Sequence, residues 1–307
     1  LPLIYLKFRT HNILEYLPQD LREHLLEIYE LNSQRNKAIL KQIKSITTVL
    51  KEKNIFPLYF KGAANLLDDV YLDKGERLMI DIDFLVPEKD FLTAAEIMMN
   101  HGYLSYKEID ILEIWKWKHY PPLYHPDFPA TIEIHRVPTH HKRKWFNQEI
   151  INSEKKTVST LKGCFVPSFQ HRIIHNFIHS QLSHKGYLFG NIPLRDIYDL
   201  LLLSKRFSLI DTLPKIKKRN KAIAYFAFAK NVFDLDEQFF PFQNRKYRNL
   251  KRKHELILNS SLFKNIYQGL VLTFLIIKDR YVGKFFKAFY SKEIRRSIKR
   301  KFTNRKS

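Results

Sequence analysis

The sequence lacks the features that mark several large classes of protein. Its 307 residues include one cysteine, Cys164, which excludes an internal disulfide and a thiolate-rich zinc site. The longest apolar runs, at 222–229 and 269–277, are far shorter than the roughly 20 residues of a membrane-spanning helix. The first residues show no signal-peptide pattern. We therefore expect a cytoplasmic protein, with peripheral attachment to a membrane as an open alternative.

Acidic residues are scarce in the second half of the chain, and this half carries the whole excess behind the net charge of +22. Residues 1–150 contain 20 basic and 21 acidic side chains, whereas residues 151–307 contain 33 and 10. The last thirty residues, 278–307, contain 12 and 2. A field of this sign attracts polyanions such as nucleic acid, anionic lipid or acidic glycan. A solubilising surface is the alternative that needs no ligand.

The order of predicted elements indicates an α+β fold. Residues 21–54 have the apolar period of one or two long helices. Further on, strands are predicted at 55–60, 78–86 and 129–137, with helices between them at 63–72 and 88–102. After about residue 165 the pattern is helical. We therefore expect a small mixed sheet flanked by helices and followed by a helical domain, with the chain divided at 1–54, 55–160 and 161–307.

Carboxylates appear where an apolar pattern predicts strands. The stretch LMIDIDFLV places Asp81 and Asp83 on one face of its strand, and TIEIH places Glu133 and His135 on one face of another. If the two strands are neighbours, three carboxylates cluster and repel one another unless cations neutralise them. Mg²⁺ prefers such oxygen ligands, and two ions about 4 Å apart can activate a hydroxyl and stabilise a leaving phosphate oxygen. A solvated sheet face is the alternative without a metal.

These segments together resemble a known family. LYFKGAANLL, RLMIDIDFLV, AAEIMMNHGY and TIEIHRV are similar to uncharacterised bacterial nucleotidyltransferases, in the superfamily with a DNA-polymerase-beta-type palm. The resemblance covers about residues 55–203. It implies that Asp81 and Asp83 ligate both of two Mg²⁺ ions, with Mn²⁺ as a possible substitute. It also implies that Glu133 is the third carboxylate and a possible base for the acceptor hydroxyl. A degenerate member that binds nucleotide without turnover is a further alternative.

The resemblance extends to residues that would bind the triphosphate. It implies that Lys61 and Gly62 begin the phosphate-binding turn, although much of the superfamily has Gly-Ser or Gly-Gly there. Arg77 matches the arginine of a pattern in abortive-infection-type toxins, and it would touch a phosphate or brace the acidic strand. Met79 departs from that pattern, which has a small hydroxyl residue at this position. For Arg77 the alternative is an ordinary surface ion pair with Glu76 or Asp73.

The helical half offers weaker candidates. His171, His175 and His179 are spaced to share one helix face, for which packing is a better interpretation than metal binding. His119 and His135 are candidates for the edge of the site. The stretch LRDIYDL matches a family pattern, and it makes Arg195, Asp196 and Asp199 secondary candidates for orienting the acceptor or a phosphate-binding arginine.

Basic clusters with interleaved aromatic residues follow from about residue 215. They suit RNA backbone contacts and base stacking, and they equally suit a helix on an anionic membrane. In 278–307 the spacing favours an amphipathic helix, with Phe285, Phe286, Phe289 and Ile294 as the apolar face.

The sequence thus predicts a Mg²⁺-dependent nucleotidyltransferase that moves a nucleoside monophosphate from an NTP to an acceptor hydroxyl or phosphate. The resemblance favours a small molecule or glycan precursor as the acceptor. An RNA such as a tRNA 3′ end is the second hypothesis. A nucleic-acid or membrane-surface binding protein with an inert palm is the third.

Overall fold

A seven-stranded mixed sheet organises the first half of the chain. The computed structural model describes residues 1–106, 114–115, 117–140, 144–190 and 192–278. The strand order is β3-β4-β5-β2-β1-β7-β6. The strands are β1 (Leu58–Tyr59), β2 (Asp81–Leu85), β3 (Leu104–Ser105), β4 (Leu123–Tyr124), β5 (Thr131–His135), β6 (Lys156–Val158) and β7 (Leu161–Val166).

The centre of the sheet combines both strand directions. β2 runs parallel to β5 and antiparallel to β1, which in turn runs parallel to β7. On one face of β2 and β5, Ile82, Phe84, Ile132 and Ile134 are fully buried in the core. The period-2 alternation of the sequence therefore predicted which residues point into the core, and the expected α+β fold with a mixed sheet is confirmed.

Helices account for most of the remaining chain. They are α1 (Pro2–Thr10), α2 (Gln19–Glu52), α3 (Lys61–Leu67), α4 (Phe91–Asn100), α5 (Gln148–Ser153), α6 (Phe169–Phe177), α7 (Gly186–Phe189), α8 (Leu194–Ser204), α9 (Leu209–Thr212), α10 (Arg219–Val232), α11 (Arg245–Asn259) and α12 (Ser261–Ile277). Within the part of the chain that the structure describes, no helix has both the length and the apolar character to cross a membrane.

Several predicted boundaries differ from those of the structure. The strand expected at 55–60 is reduced to β1, and the helix expected at 63–72 is α3, which begins at Lys61 and ends at Leu67. The hairpin of β6 and β7, which ends at Val166, was not predicted. The predicted amphipathic segment at 278–307 lies outside the described residues except for Lys278.

The predicted long helix is one element, α2, and it supports the sheet by polar as well as apolar contacts. Ile39, Ile43 and Ile46 are buried in the core. Beside them, the fully buried Gln42 side chain donates to the Ala130 carbonyl at 2.8 Å and accepts from the Ala130 N–H at 3.2 Å. Ala130 directly precedes β5, so this pair of bonds satisfies backbone groups where the strand begins.

We predict that Gln42→Ala destabilises the protein by about 3 kcal/mol, because two buried backbone groups lose their partner at about 1–3 kcal/mol each. Equilibrium unfolding in urea measures this loss. Gln19→Ala in the same helix is the matched control, since Gln19 bonds only the exposed Glu23. Its loss should stay below about 0.5 kcal/mol. Equal losses for the two variants would contradict the role of Gln42.

Candidate active site

The register of β2 and β5 brings the predicted carboxylates together. Asp81 lies opposite Thr131 and Asp83 lies opposite Glu133, as expected if the strands were neighbours. Asp83 is 2% exposed, and its Oδ1 atom accepts hydrogen bonds from Lys61 Nζ at 2.5 Å and from His135 Nε2 at 2.9 Å. Lys61 Nζ is also 4.0 Å from Glu133 Oε2. One ammonium group therefore faces two of the three carboxylates.

The pKa shifts follow from burial and from these pairs. Burial acts to raise the pKa of Asp83, but Lys61 and His135 outweigh it and hold that pKa well below its usual value. For Asp81, burial and the neighbouring Asp83 raise the pKa above its usual value, and Lys61 offsets them only in part. Burial acts to raise the pKa of Glu133, but the hydrogen bond from His135 contributes to a net lowering. Of the three carboxylates, Asp81 is thus the one whose burial is least compensated.

The donor set at this point fits a divalent cation. Ligand atoms of Asp83, Glu133 and His135 lie within 4.8 Å of one another. Asp81 is not in that convergent group, but it lines the same cavity as Glu133. Lys61 already places one positive charge among these oxygens. A bound cation would provide further compensation of the same kind. His135, a secondary candidate in the sequence, lies against both Asp83 and Glu133, at 2.9 and 3.3 Å.

A cavity of about 250 Å³ separates the carboxylates from the helical half. Burial and the charge of Lys61 lower the pKa of Lys118 in its wall. Lys118 and Arg172 were not predicted to lie here, because neither belongs to one of the motifs that resemble the family. His119 Nε2 is 3.7 Å from Glu133 Oε2. The basic side chains that line the cavity are Lys61, Arg77, Lys118, Arg172 and Arg195.

Arg77 joins the acidic strand to α8. Its Nε atom donates to Asp199 Oδ2 at 3.0 Å, and both side chains are about nine-tenths buried. The Tyr71 hydroxyl donates to Asp199 Oδ1 at 2.8 Å. The expected alternative of a surface ion pair with Glu76 or Asp73 is therefore wrong. Asp196 and Asp199 are the two secondary candidates one turn apart on α8, and of these Asp199 holds Arg77 in place.

Asp196 has a different environment on the same helix. It is 5% exposed and lines the cavity. Its Oδ1 atom is 3.8 Å from Arg195 Nε, whereas its buried Oδ2 atom has no hydrogen-bond partner among the residues that the structure describes. Burial raises the pKa of Asp196, with Asp199 contributing in the same direction. Asp196 is thus a buried carboxylate at the cavity whose burial is only partly compensated within the protein.

The three histidines that the sequence places on one helix face are packed, and burial lowers the pKa of each. His175 lies edge-on to Phe60 with ring centroids 5.1 Å apart, and burial lowers its pKa to about 3. A π-helical turn, Ile178–Ser183, follows α6 and interrupts the regular spacing to His179. His179 packs against His184 with centroids 4.1 Å apart, and burial lowers the pKa of His179 to about 2. In the described part of the chain these rings form no metal-binding group, in agreement with the packing interpretation.

The phosphate-binding turn predicted at Lys61 and Gly62 is tightly enclosed. Lys61 has a φ of 55°, a left-handed conformation that lysine seldom adopts, and its ion pair with Asp83 holds it there. A Cβ atom on Gly62 would contact Met79 Sδ and would lie 2.8 Å from Arg77 Nη1. Met79, the departure from the toxin pattern, therefore fills the space beside a glycine.

Comparison with known proteins gives a family. The family model described as "uncharacterised nucleotidyltransferase" matches residues 1–241. Comparison with curated proteins gives no match. Among solved structures, the solution structure of the antibiotic-resistance factor ANT(2'')-Ia is similar to this chain with 13% identity and a TM-score of 0.41, over 66% of this chain and 98% of that one.

We predict that Asp199→Asn destabilises the protein by about 3–5 kcal/mol, because it leaves the buried Arg77 guanidinium without its counter-charge. The control is Asp69→Asn, which removes an ion pair with Lys74 in which the Asp69 side chain is 68% exposed. That change should cost less than about 1 kcal/mol. Urea unfolding of both variants tests the difference, and a small loss for Asp199→Asn would mean that water already screens Arg77.

We predict that Gly62→Ala costs about 1–3 kcal/mol through overpacking, because Met79 is buried and Asp199 holds Arg77 in place. Gly269→Ala is the matched control, since nothing lies within 4 Å of a Cβ atom built on Gly269. In the interior of α12 that change should be neutral or stabilising by up to about 1 kcal/mol. Thermal unfolding of the two variants measures both effects. A neutral Gly62→Ala would show that Met79 repacks freely.

Proposed function

Because this chain belongs to the uncharacterised nucleotidyltransferase family and is an enzyme of that class, we propose that it transfers a nucleoside monophosphate from an NTP to an acceptor hydroxyl or phosphate and releases pyrophosphate. One observation carries the proposal. The parallel register of β2 and β5 sets Asp83 beside Glu133 at the edge of a cavity lined by basic side chains. Phosphoryl-type transfer requires positioning and charge neutralisation of this kind.

Asp81, Asp83 and Glu133 are the proposed ligands of Mg²⁺, with two ions favoured and Mn²⁺ as a substitute. When bound, such ions activate an attacking hydroxyl and stabilise charge on the leaving phosphate oxygen. His135 donates a hydrogen bond to Asp83 if the proton is on Nε2, and this bond orients the carboxylate. Glu133 is the proposed base for the acceptor hydroxyl, since it lines the cavity and is less buried than Asp83.

The triphosphate is proposed to bind along the basic wall of the cavity. Lys61 is the first candidate, because its ammonium group can neutralise a phosphate oxygen as well as a carboxylate. Burial, with Lys61 contributing in the same direction, lowers the pKa of Lys118, and a bound triphosphate would stabilise its charged form. Gly62 permits the close approach of Arg77 to α3. Asp199 in turn fixes the position of Arg77.

The acceptor is proposed to be a small hydroxyl-bearing molecule or glycan precursor. Asp196 supports this choice, since its carboxylate lines the cavity and its burial is only partly compensated within the protein, so a hydrogen-bond donor is favoured beside it. An acceptor with a phosphate at that point would be repelled by the carboxylate. Arg195 beside it is the proposed contact for any anionic part of the acceptor. RNA remains the second hypothesis, supported by the basic helix α11, which has six Lys and Arg residues and one Glu.

We predict that Asp81→Asn/Asp83→Asn abolishes both metal-dependent NTP binding and transfer, with a loss in rate of about 100-fold or more. Purified protein is incubated with each labelled NTP, with Mg²⁺ or Mn²⁺, and with either total tRNA or a set of sugars and polyols. Asp69→Asn/Asp127→Asn is the control, because those side chains are 68% and 87% exposed. It should retain full activity.

The outcomes separate the hypotheses. Metal-dependent NTP binding that is lost only in the Asp81/Asp83 variant supports the proposed site, whichever acceptor is labelled. Label on tRNA, with a rate that falls steeply as salt increases, would overturn the small-molecule acceptor in favour of RNA. If the unaltered protein shows no metal-dependent NTP binding, the proposed metal and nucleotide sites are wrong.

A further inference from the structure

Helix α12, Ser261–Ile277, exposes a large amount of apolar surface. None of its residues is buried. Leu270 is 66% exposed and Phe274 is 59% exposed. Soluble proteins rarely leave contiguous apolar surface of this kind uncovered unless it meets a partner. The other exposed large apolar residues of the helix are Leu262, Ile266, Leu272, Ile276 and Ile277.

The beginning of α12 is attached to the rest of the protein. The Tyr267 hydroxyl donates to the Leu188 carbonyl at 2.7 Å, and the Tyr267 ring stacks on Phe263 with centroids 5.7 Å apart. Lys253 of α11 lies 5.4 Å from the centre of the Tyr267 ring. C-terminal to these anchoring residues, the stretch 269–277 contains no charged side chain. The helix is therefore anchored near its start, and its apolar second half faces outward.

Positive charge flanks this apolar helix on both sides along the chain. Helix α11, which precedes it, has six basic side chains and one acidic side chain. Residues 278–307, which follow it, have 12 and 2. Apolar residues between clusters of Lys and Arg suit the surface of a bilayer with anionic headgroups. The apolar side chains enter the acyl boundary there, and the Lys and Arg side chains contact the headgroups.

We propose that α12 docks the protein on the surface of an anionic lipid bilayer. The charges favour this partner over two others. A second copy of the chain would bring one net charge of +22 against another, which is repulsive. RNA would satisfy the cations but would leave the leucine and isoleucine side chains without an apolar partner. The described part of α12, Ser261–Ile277, spans about 26 Å at 1.5 Å per residue, less than the roughly 30 Å hydrocarbon core, and charged residues follow at 278–280, so a position at the surface is favoured.

Flotation of the full chain with lipid vesicles tests the proposal. Vesicles of phosphatidylcholine with 30 mol% phosphatidylglycerol are compared with vesicles of phosphatidylcholine alone. We expect binding to the anionic vesicles to be about tenfold or more tighter, because each Lys or Arg near an anionic surface adds attraction. Leu270→Ser/Phe274→Ser should weaken that binding by about tenfold or more, because it removes apolar side chains from the acyl boundary without changing charge.

The control is Tyr16→Ser/Leu72→Ser, which removes two apolar side chains that are 83% and 94% exposed elsewhere on the protein. It should bind vesicles as the unaltered chain does, and circular dichroism confirms that both variants are folded. Equal binding to the two kinds of vesicle, or unchanged binding of the Leu270/Phe274 variant, would overturn the proposal. If the chain does not bind vesicles, two further results would also overturn the proposal. One is a dimer that the Leu270/Phe274 variant dissociates, and the other is RNA binding that depends on Leu270 and Phe274. The test does not depend on nucleotide transfer, so its failure leaves the proposed function unaffected.

Discussion

The repulsion among carboxylates that β2 and β5 force together is the constraint on which the rest of the structure depends. The parallel register fixes Asp83 beside Glu133, and the strand period adds Asp81 on the same side. Backbone hydrogen bonds and a buried apolar face hold this register, so the acids cannot separate. Compensation has to be supplied locally, where Lys61 brings a positive charge and His135 a hydrogen bond. Asp83, Glu133 and His135 also lie close enough together to hold a cation.

The need to compensate these carboxylates explains nearby features that are unfavourable when considered alone. Lys61 adopts a left-handed conformation that places its side chain on Asp83. Strained backbone of this kind is found where the surroundings over-determine it, as they do at binding sites. The next residue is a glycine, Gly62, because Arg77 and Met79 occupy the space that a side chain would need. The pair of Arg77 with Asp199 then ties this turn to α8, so the sheet and the helical half together define one cavity.

The sequence revealed the parts of the site that depend on local periodicity. Alternation predicted the faces of Asp83 and Glu133, because side chains on a strand have a fixed period of two. The partner of Arg77 could not be predicted, since Asp199 lies 122 residues away and only packing brings it close. The hairpin of β6 and β7 was missed because β6 has only three residues and its pairing shifts register at Thr157 and Val158. The closeness of Lys118 and Arg172 to the cavity likewise comes from tertiary packing.

Two buried aspartates one turn apart on α8 differ in how the cost of their burial is compensated. Burying a carboxylate is costly unless hydrogen bonds or opposite charge compensate for it. Asp199 receives that compensation within the protein, from Arg77 and Tyr71. Asp196 receives it only in part, and its unsatisfied Oδ2 atom belongs to a residue that lines the cavity. A ligand that donates a hydrogen bond to this carboxylate recovers part of a cost already borne by the fold, whereas an anionic ligand adds to it. This asymmetry favours a hydrogen-bond donor over an anion at this end of the cavity.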